Sequence, residues 1–207
     1  DSGQGEARIT AWLAGQHDLV DAFAQGRDVY SEHASTIYNR PVDRKRVQAD
    51  YIPGQLGKVS ILGMGFGMGW YKASMELLKG MLGSPPIQFT AADMAALHVD
   101  PSRFLNNPAK IKQVEAMPSR LELNDRLIHC ATTNALIERY RAKMSRITGV
   151  GLPPGEVGYW QLMDQVIDSM IWGKEMAFGA HGVMCTAKDK IWMPNGLAMR
   201  FDGLERG

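Results

Sequence analysis

The sequence predicts a mainly α-helical protein with a small β element near its end, an α+β fold. Three observations carry that reading. Apolar residues recur at three- and four-residue spacing through most of the chain. Capping and stop residues punctuate the pattern. The period then shortens to two after Val183, around Pro194-Asn195-Gly196. With 207 residues, 45% of them hydrophobic, the chain has material for one large domain or two small lobes with a buried core.

Residues 4–13 read as a helix stopped by Gly15, and residues 18–23 as a second helix ended at Gly26. Asp28 is placed to cap a helix over residues 29–38, which Pro41 ends. A longer helix is expected over about 47–70, starting near Val47 or Pro53. It carries Lys58, Leu62 and Phe66, whose four-residue spacing puts them near one face. Segments 80–86 and 101–108 are rich in loop formers. Between them Thr90 can cap a helix reaching Leu97, with Asp93 at the reciprocal capping position. Residues 121–146 form the longest amphipathic stretch, with Leu123, Leu127, Cys130, Ala131, Asn134 and Ile137 on one face. The Gly- and Pro-rich segment 149–158 is loop. Residues 159–178 read as helix, apolar at Trp160, Met163, Val166, Ile167 and Met170. The last segment reads as short strands joined by an Asn195-Gly196 turn.

Lys and Arg number 23 against 22 Asp and Glu, a formal charge of +1. A protein that grips nucleic acid over its whole surface is more basic than this, so phosphate contacts must come from local patches. Two patches stand out: Arg40, Arg44, Lys45 and Arg46 in one, Arg139 and Arg141 in the other. Either can equally be a solvated helix end. Cys130 and Cys185 lack metal-ligand spacing and read as two reduced thiols. The sequence has no apolar run of membrane-spanning length and no signal-peptide pattern, so a cytoplasmic chain without a membrane partner is expected. The abrupt start at Asp1 reads as a cut point inside a longer protein.

The residues with chemistry cluster in two places. Asp1, Glu6 and Arg8 precede an apolar helical run; Asp1 is either an ordinary helix cap or, in a partly buried turn, a carboxylate that needs a metal or a full set of hydrogen bonds. Lys58 opens the glycine-rich run 63–69. It is either a snorkelling side chain or a point charge for a phosphate, with Phe66 near enough to stack a base. The glycines there lower helix propensity by roughly 1 kcal/mol each, as close approach of a ligand or tight packing would require. Their G-x-G-x-G-x-G spacing follows a helical pattern and so does not read as a dinucleotide fingerprint, and Gly57-Lys58 lacks the flanks of a P-loop. None of the five histidines sits in a nucleophile motif; all read as surface or structural.

Asp1-x-x-Gln4-x-Glu6-Ala7-Arg8-Ile9-x-Ala11-Trp12-Leu13-Ala14-Gly15 resembles motif A of the family A DNA polymerases, especially the phage type. Gly57-Lys58 through Phe66-Gly67 is similar to motif B, and Tyr140-Arg141, Ile147, Trp160 and Pro194-Asn195-Gly196 resemble the distal fingers of that subgroup. The resemblance implies a palm edge over 1–15, helical fingers over 16–180 and a β-hairpin-like segment over 181–207. It implies that Asp1 and the Ser2 carbonyl ligate two Mg²⁺ ions, and that Glu6 lies under the sugar, where it excludes a 2′-hydroxyl. It also implies that Lys58 holds the triphosphate, with Leu62 and Phe66 near the sugar and base. Ser2, Gln4, Arg8 and Gly67 complete the implied nucleotide-binding set. The implied partners are a DNA primer-template, dNTPs and the remainder of the polymerase chain, in the host cell of a phage or in a bacterium.

The chain departs from the family pattern. Ser2, Gly3 and Gly5 replace Tyr, Ser and Ile, and Gly54 stands where motif B has an arginine. The His-Asp-Glu of motif C is absent, so one metal-ligand set is incomplete and the chain alone is not expected to extend a primer. The competing readings are a single-subunit RNA polymerase, which Glu6 disfavours, and a non-catalytic helical module that binds nucleotide or nucleic acid.

Overall fold

A computed structural model of the chain describes residues 4–179 and 182–205. It is mainly helical with a small β element, as expected; that element is one four-stranded antiparallel sheet. Two compact units are present. The terminal unit combines the segment ending at Ala24 with the segment starting at Met144; the central unit is Gln25–Lys143. Among the described residues, no helix is long and apolar enough to cross a membrane.

The chain begins in the terminal unit with α1 (Gly5–Ala14) and α2 (His17–Ala24). Gln4 precedes α1 in the left-handed region, and Gly15 ends it with φ 67°, a conformation open to a residue without Cβ. Ala7, Thr10 and Ala11 form the buried side of α1, while Ile9 and Trp12 face outward.

The central unit holds α3 (Val29–Tyr38), α4 (Tyr51–Val59), α5 (Trp70–Lys79), α6 (Ala91–Ala96), α7 (Ser102–Leu105), α8 (Pro108–Glu115) and α9 (Leu123–Lys143). Helices α3 and α4 pack through glycines. A Cβ on Gly57 would overlap the carbonyl oxygen of Tyr30, and one on Gly54 would overlap the stem of Arg44. Gly57→Ala is therefore expected to cost about 3 kcal/mol, because backbone cannot yield as a side-chain tip can; urea unfolding measures it.

Helix α9 is the axis of this unit and packs against α5, α6, α7 and α8. That explains why burial exceeds the expected stripe. Cys130, Ala131, Asn134 and Ile137 are inside, but so are His129, Thr132 and Thr133, whereas Leu123 is exposed. The Thr132 and Thr133 hydroxyls are satisfied by donating to the carbonyls of Ile128 and His129. One core cluster joins Phe104, Val114, Met117, Cys130 and Ala131, with Trp70 edge-on to Phe104. The predicted box on α6 is present: Thr90 Oγ1 accepts from the Asp93 amide and an Asp93 carboxylate oxygen accepts from the Thr90 amide.

Back in the terminal unit come α10 (Ser145–Thr148) and α11 (Tyr159–Trp172), then β1 (Ala177–Phe178), β2 (Met184–Ala187), β3 (Lys190–Trp192) and β4 (Ala198–Arg200). The expected helix over 159–178 stops six residues early. Gly173 takes φ 66°, its amide reaches the Met170 carbonyl and the Lys174 amide reaches the Ser169 carbonyl, which closes the helix. The freed residues supply β1 instead. Strand order is β1-β2-β3-β4, with Cys185 opposite Trp192 and Trp192 opposite Ala198. Val166, Met170, Phe178 and Met184 form the core between α11 and one sheet face. The turn before β4 differs from a two-residue Asn-Gly turn. The Gly196 amide donates to the Met193 carbonyl, and only Gly196 of the three loop residues has positive φ, 77°; Pro194 and Asn195 lead into it. Both cysteines are free thiols.

Candidate functional site

Asp1 and Ser2 lie outside the described residues. Of the first cluster, Gln4, Glu6 and Arg8 remain, all at the start of α1. Glu6 is exposed in the first turn, where a carboxylate complements the helix dipole. Arg8 is exposed and holds its guanidinium 5.0 Å above the Phe23 ring. Two positions apart on a helix, Glu6 and Arg8 do not face each other. Among the described residues, no group of three or more His, Cys, Asp or Glu could hold a metal ion.

The second cluster belongs to the central unit. A 3₁₀ turn (Gln48–Asp50) leads into α4, and α4 runs into a π-helical turn (Ser60–Met64). The π turn bonds i to i+5, so one residue too many enters the turn and the phase shifts. Four-residue spacing then no longer selects one face, and the helix ends near Gly67, whose φ is 79°. Lys58 is half-buried on α4 and Leu62 half-buried in the π turn, while Phe66 lies beyond it with 62% of its surface exposed. A Cβ on Gly65 would stand 3.1 Å from the Tyr140 hydroxyl, so that glycine serves close packing on α9.

Lys58 has a defined protein partner. Its Nζ donates to the Leu82 carbonyl at 2.9 Å. Leu82 has φ 53°, uncommon for a residue with a side chain, and lies between Gly80 and Gly83, both also at positive φ. The lysine thus holds a strained turn and retains two of its three donor hydrogens for another acceptor.

The basic patches are less free than their composition suggests. Arg44 donates from Nε to Asp28 at 3.0 Å and places its guanidinium 4.8 Å above Tyr30. Asp28, though at the N-cap of α3, makes no capping bond there; its Oδ2 accepts from Arg44 and Ser31 instead. Burial pushes the Asp28 carboxyl up, but the Arg44 hydrogen bond and charge, the Lys45 charge and the Ser31 hydroxyl bring it below the usual carboxylate range. Arg40 donates to Asp50 at 2.7 Å, and Asp50 also accepts from the Asp43 amide. Those two bonds hold its carboxyl low, the backbone one most. Lys45 and Arg46 point outward. The hollow of about 360 Å³ beside them also contains Asp28, Glu32 and Asp43, so it offers no net positive field. Arg139 donates to the carbonyls of Leu97 and His98 at 2.8 Å each, closing the end of α6. Arg141 is half-buried on α9.

Two histidines are buried in the central unit. His129 Nδ1 accepts from the Phe89 amide at 3.1 Å and Nε2 lies 3.1 Å from the Ser74 carbonyl, which fixes a neutral ring with its proton on Nε2. Desolvation lowers its pKa. His33, edge-on to Tyr140 at 5.7 Å, has no hydrogen-bond partner for either ring nitrogen among the described residues. Sequence reasoning read all five histidines as surface or structural, without separating these two buried ones from the rest. It missed a cleft of about 560 Å³ lined by Met75, Leu78, Pro86, Pro118 and Leu121, with Lys79 and Arg120 as its cations; no spacing in the sequence signals it.

Over 77 residues, 37% of this chain, the sequence is 32% identical to the thermostable DNA polymerase I of Thermus aquaticus, and the matched stretch spans 9% of that protein's length. No family model matches the chain, and no solved structure matches it. The likeness supports a relationship to the family A DNA polymerases.

Proposed function

We propose that this chain is the fingers region, with an edge of palm, of a phage-type DNA-directed DNA polymerase. The observation that carries the reading is the stretch 32% identical to a DNA polymerase I. The order of the Glu6-Ala7-Arg8 and Gly57-Lys58 segments supports it. Palm edge, fingers and β-hairpin-like segment correspond in this reading to 1–15, 16–180 and 181–207. The parent enzyme joins an incoming dNTP to a primer: the 3′-hydroxyl gives up its proton to solvent as its oxygen bonds to the α-phosphorus, the bond from that phosphorus to the α,β-bridging oxygen breaks, and pyrophosphate leaves.

The reading calls for two Mg²⁺ ions, to which this chain contributes Asp1 and the Ser2 carbonyl. Both lie outside the described residues, and the described residues alone offer no donor set that fits such an ion. The roles assigned are therefore those of side chains. Lys58 gives its two remaining N–H donors to triphosphate oxygens. Phe66, exposed beside Gly67, stacks against the base, and Leu62 supports the sugar. Glu6 crowds a 2′-hydroxyl; Gln4 and Arg8 line the same helix start. Lys45 and Arg46 are the exposed cations assigned to a primer-template backbone: among the described residues each has only a long ion pair at 3.8 Å, to Asp28 and Asp43, whereas Arg40, Arg44 and Arg139 make short hydrogen bonds.

Titration of the chain with a fluorescent dNTP and Mg²⁺ tests this. Lys58→Ala is expected to weaken binding about 10- to 100-fold, the worth of hydrogen bonds to a charged group. Unchanged affinity in a folded variant would remove Lys58 from its role. In the parent polymerase, Glu6→Ala is expected to admit NTPs; sugar selectivity equal to that of the unsubstituted enzyme counts against the assignment of Glu6.

A further inference from the structure

The four-stranded sheet has two unlike faces. Phe178, Met184, Thr186 and Ile191 point to the α11 side, where all are buried or half-buried. On the other face the register places Trp192 between Cys185 and Ala198, and Lys190 between Ala187 and Arg200. The cross-strand neighbours of the indole are small, and 42% of the residue is exposed. Lys190 and Arg200 are directly opposite each other on paired strands. Like charges at such a pair repel. Among the described residues, no carboxylate lies within ion-pair distance of either; Lys190 instead turns its Nζ to within 4.8 Å of the Trp192 ring centre. None of the six positions carries an acidic side chain.

We propose that this face binds single-stranded nucleic acid, with a base stacked on Trp192 and a backbone phosphate received by Lys190 and Arg200. Lys190 and Trp192 are two residues apart on one strand, roughly 7 Å, close enough for one nucleotide to span them. A single strand fits better than a duplex, because an unpaired base offers its π-face whereas a duplex offers only base edges and phosphates. The platform does not depend on the nucleotide-transfer reading: it lies wholly in the terminal unit and uses none of the residues assigned to that reaction.

The test is fluorescence anisotropy of a labelled short oligothymidylate with the whole chain, over a range of salt. Trp192→Ala is expected to weaken binding by at least ~10-fold, and Trp192→Phe by much less, since a ring remains. Lys190→Gln and Arg200→Gln should each lower the salt slope by about 0.7. An abasic oligomer of equal charge should bind more weakly than oligothymidylate. The proposal is overturned if the unsubstituted chain does not bind, if the abasic oligomer binds equally well, or if Trp192→Ala keeps both its circular dichroism and its affinity. If Trp192→Ala does not fold, Ala198→Glu decides: a carboxylate beside the ring should abolish binding, and undiminished binding refutes the platform. Lys58→Ala should leave oligothymidylate binding unchanged while dNTP binding falls, so this inference and the proposed function fail separately.

Discussion

Acidification from pH 7 to pH 4 is expected to remove about 3 kcal/mol of stability through one residue, His33. Burial pushes its imidazole down from the ordinary 6.5 to about 3, and the Lys143 charge adds to the shift. The surroundings explain the direction. The ring is 4% exposed, stands edge-on to the buried Tyr140, and has no acceptor for a second proton among the described residues. The folded chain therefore binds fewer protons at this site than the unfolded chain between the two values. The stability contribution is complete above pH 6.5 and declines as pH falls, by about 1.4 kcal/mol per pH unit, until the folded form itself titrates near pH 3. His129 acts in the same direction, since desolvation also lowers its pKa. The low carboxyls of Asp28 and Asp50 contribute only at lower pH, from the ordinary carboxylate value near 3.8 downward. Urea midpoints of the parent chain and His33→Phe at pH 7, 5 and 4 isolate the effect. The phenylalanine variant should lose much less on acidification, with the His129 contribution remaining. Equal pH dependence in both would show that the His33 ring reaches solvent or a partner when charged.

The parts of the fold that were legible in the sequence are those whose cause is local. Gly15 stops α1 because only the following backbone is involved, and the Thr90-Asp93 box closes on itself within four residues. Pro194 and Gly196 mark the place of a turn, though not its type: the chain does not form the two-residue Asn195-Gly196 turn. The parts that were not legible depend on remote partners. Asp28 sits at a cap position, yet its Oδ2 is bonded to Arg44, 16 residues on, and makes no cap. The π turn after Lys58 runs into Gly65, which packs against Tyr140 of α9, and nothing in the four-residue spacing records that meeting. Helix periodicity continued past Gly173 into Met176 and Phe178, because residues that pack beneath a helix and residues that pack beneath a sheet are the same apolar types. For the candidate site, the sequence marked Lys58 and Phe66 only as candidates; the Leu82 carbonyl that holds Lys58 is a backbone group and leaves no trace in side-chain patterns.

The same remote partnership yields the second large effect. Asp28→Ala is expected to destabilise the central unit by about 3–5 kcal/mol, the cost of leaving a largely desolvated charge without its partner. The Arg44 side chain is 18% exposed and that of Asp28 15%. The guanidinium lies over Tyr30 and its stem fills the space that Gly54 leaves open, so it cannot swing out to water without emptying the contact between α3 and α4. Arg44→Met offers the complementary case: it keeps the stem against Gly54 and removes the charge, but strands the Asp28 carboxylate, which retains Ser31 and a distant Lys45. The double variant Asp28→Ala/Arg44→Met removes both charges and should recover most of the loss, since an ion pair replaced by apolar groups of similar volume is often near neutral. A double-mutant cycle of urea unfolding free energies measures the coupling. A coupling near zero would mean that the pair is screened like an ordinary surface ion pair and that Gly54 and Gly57 alone hold the two helices together.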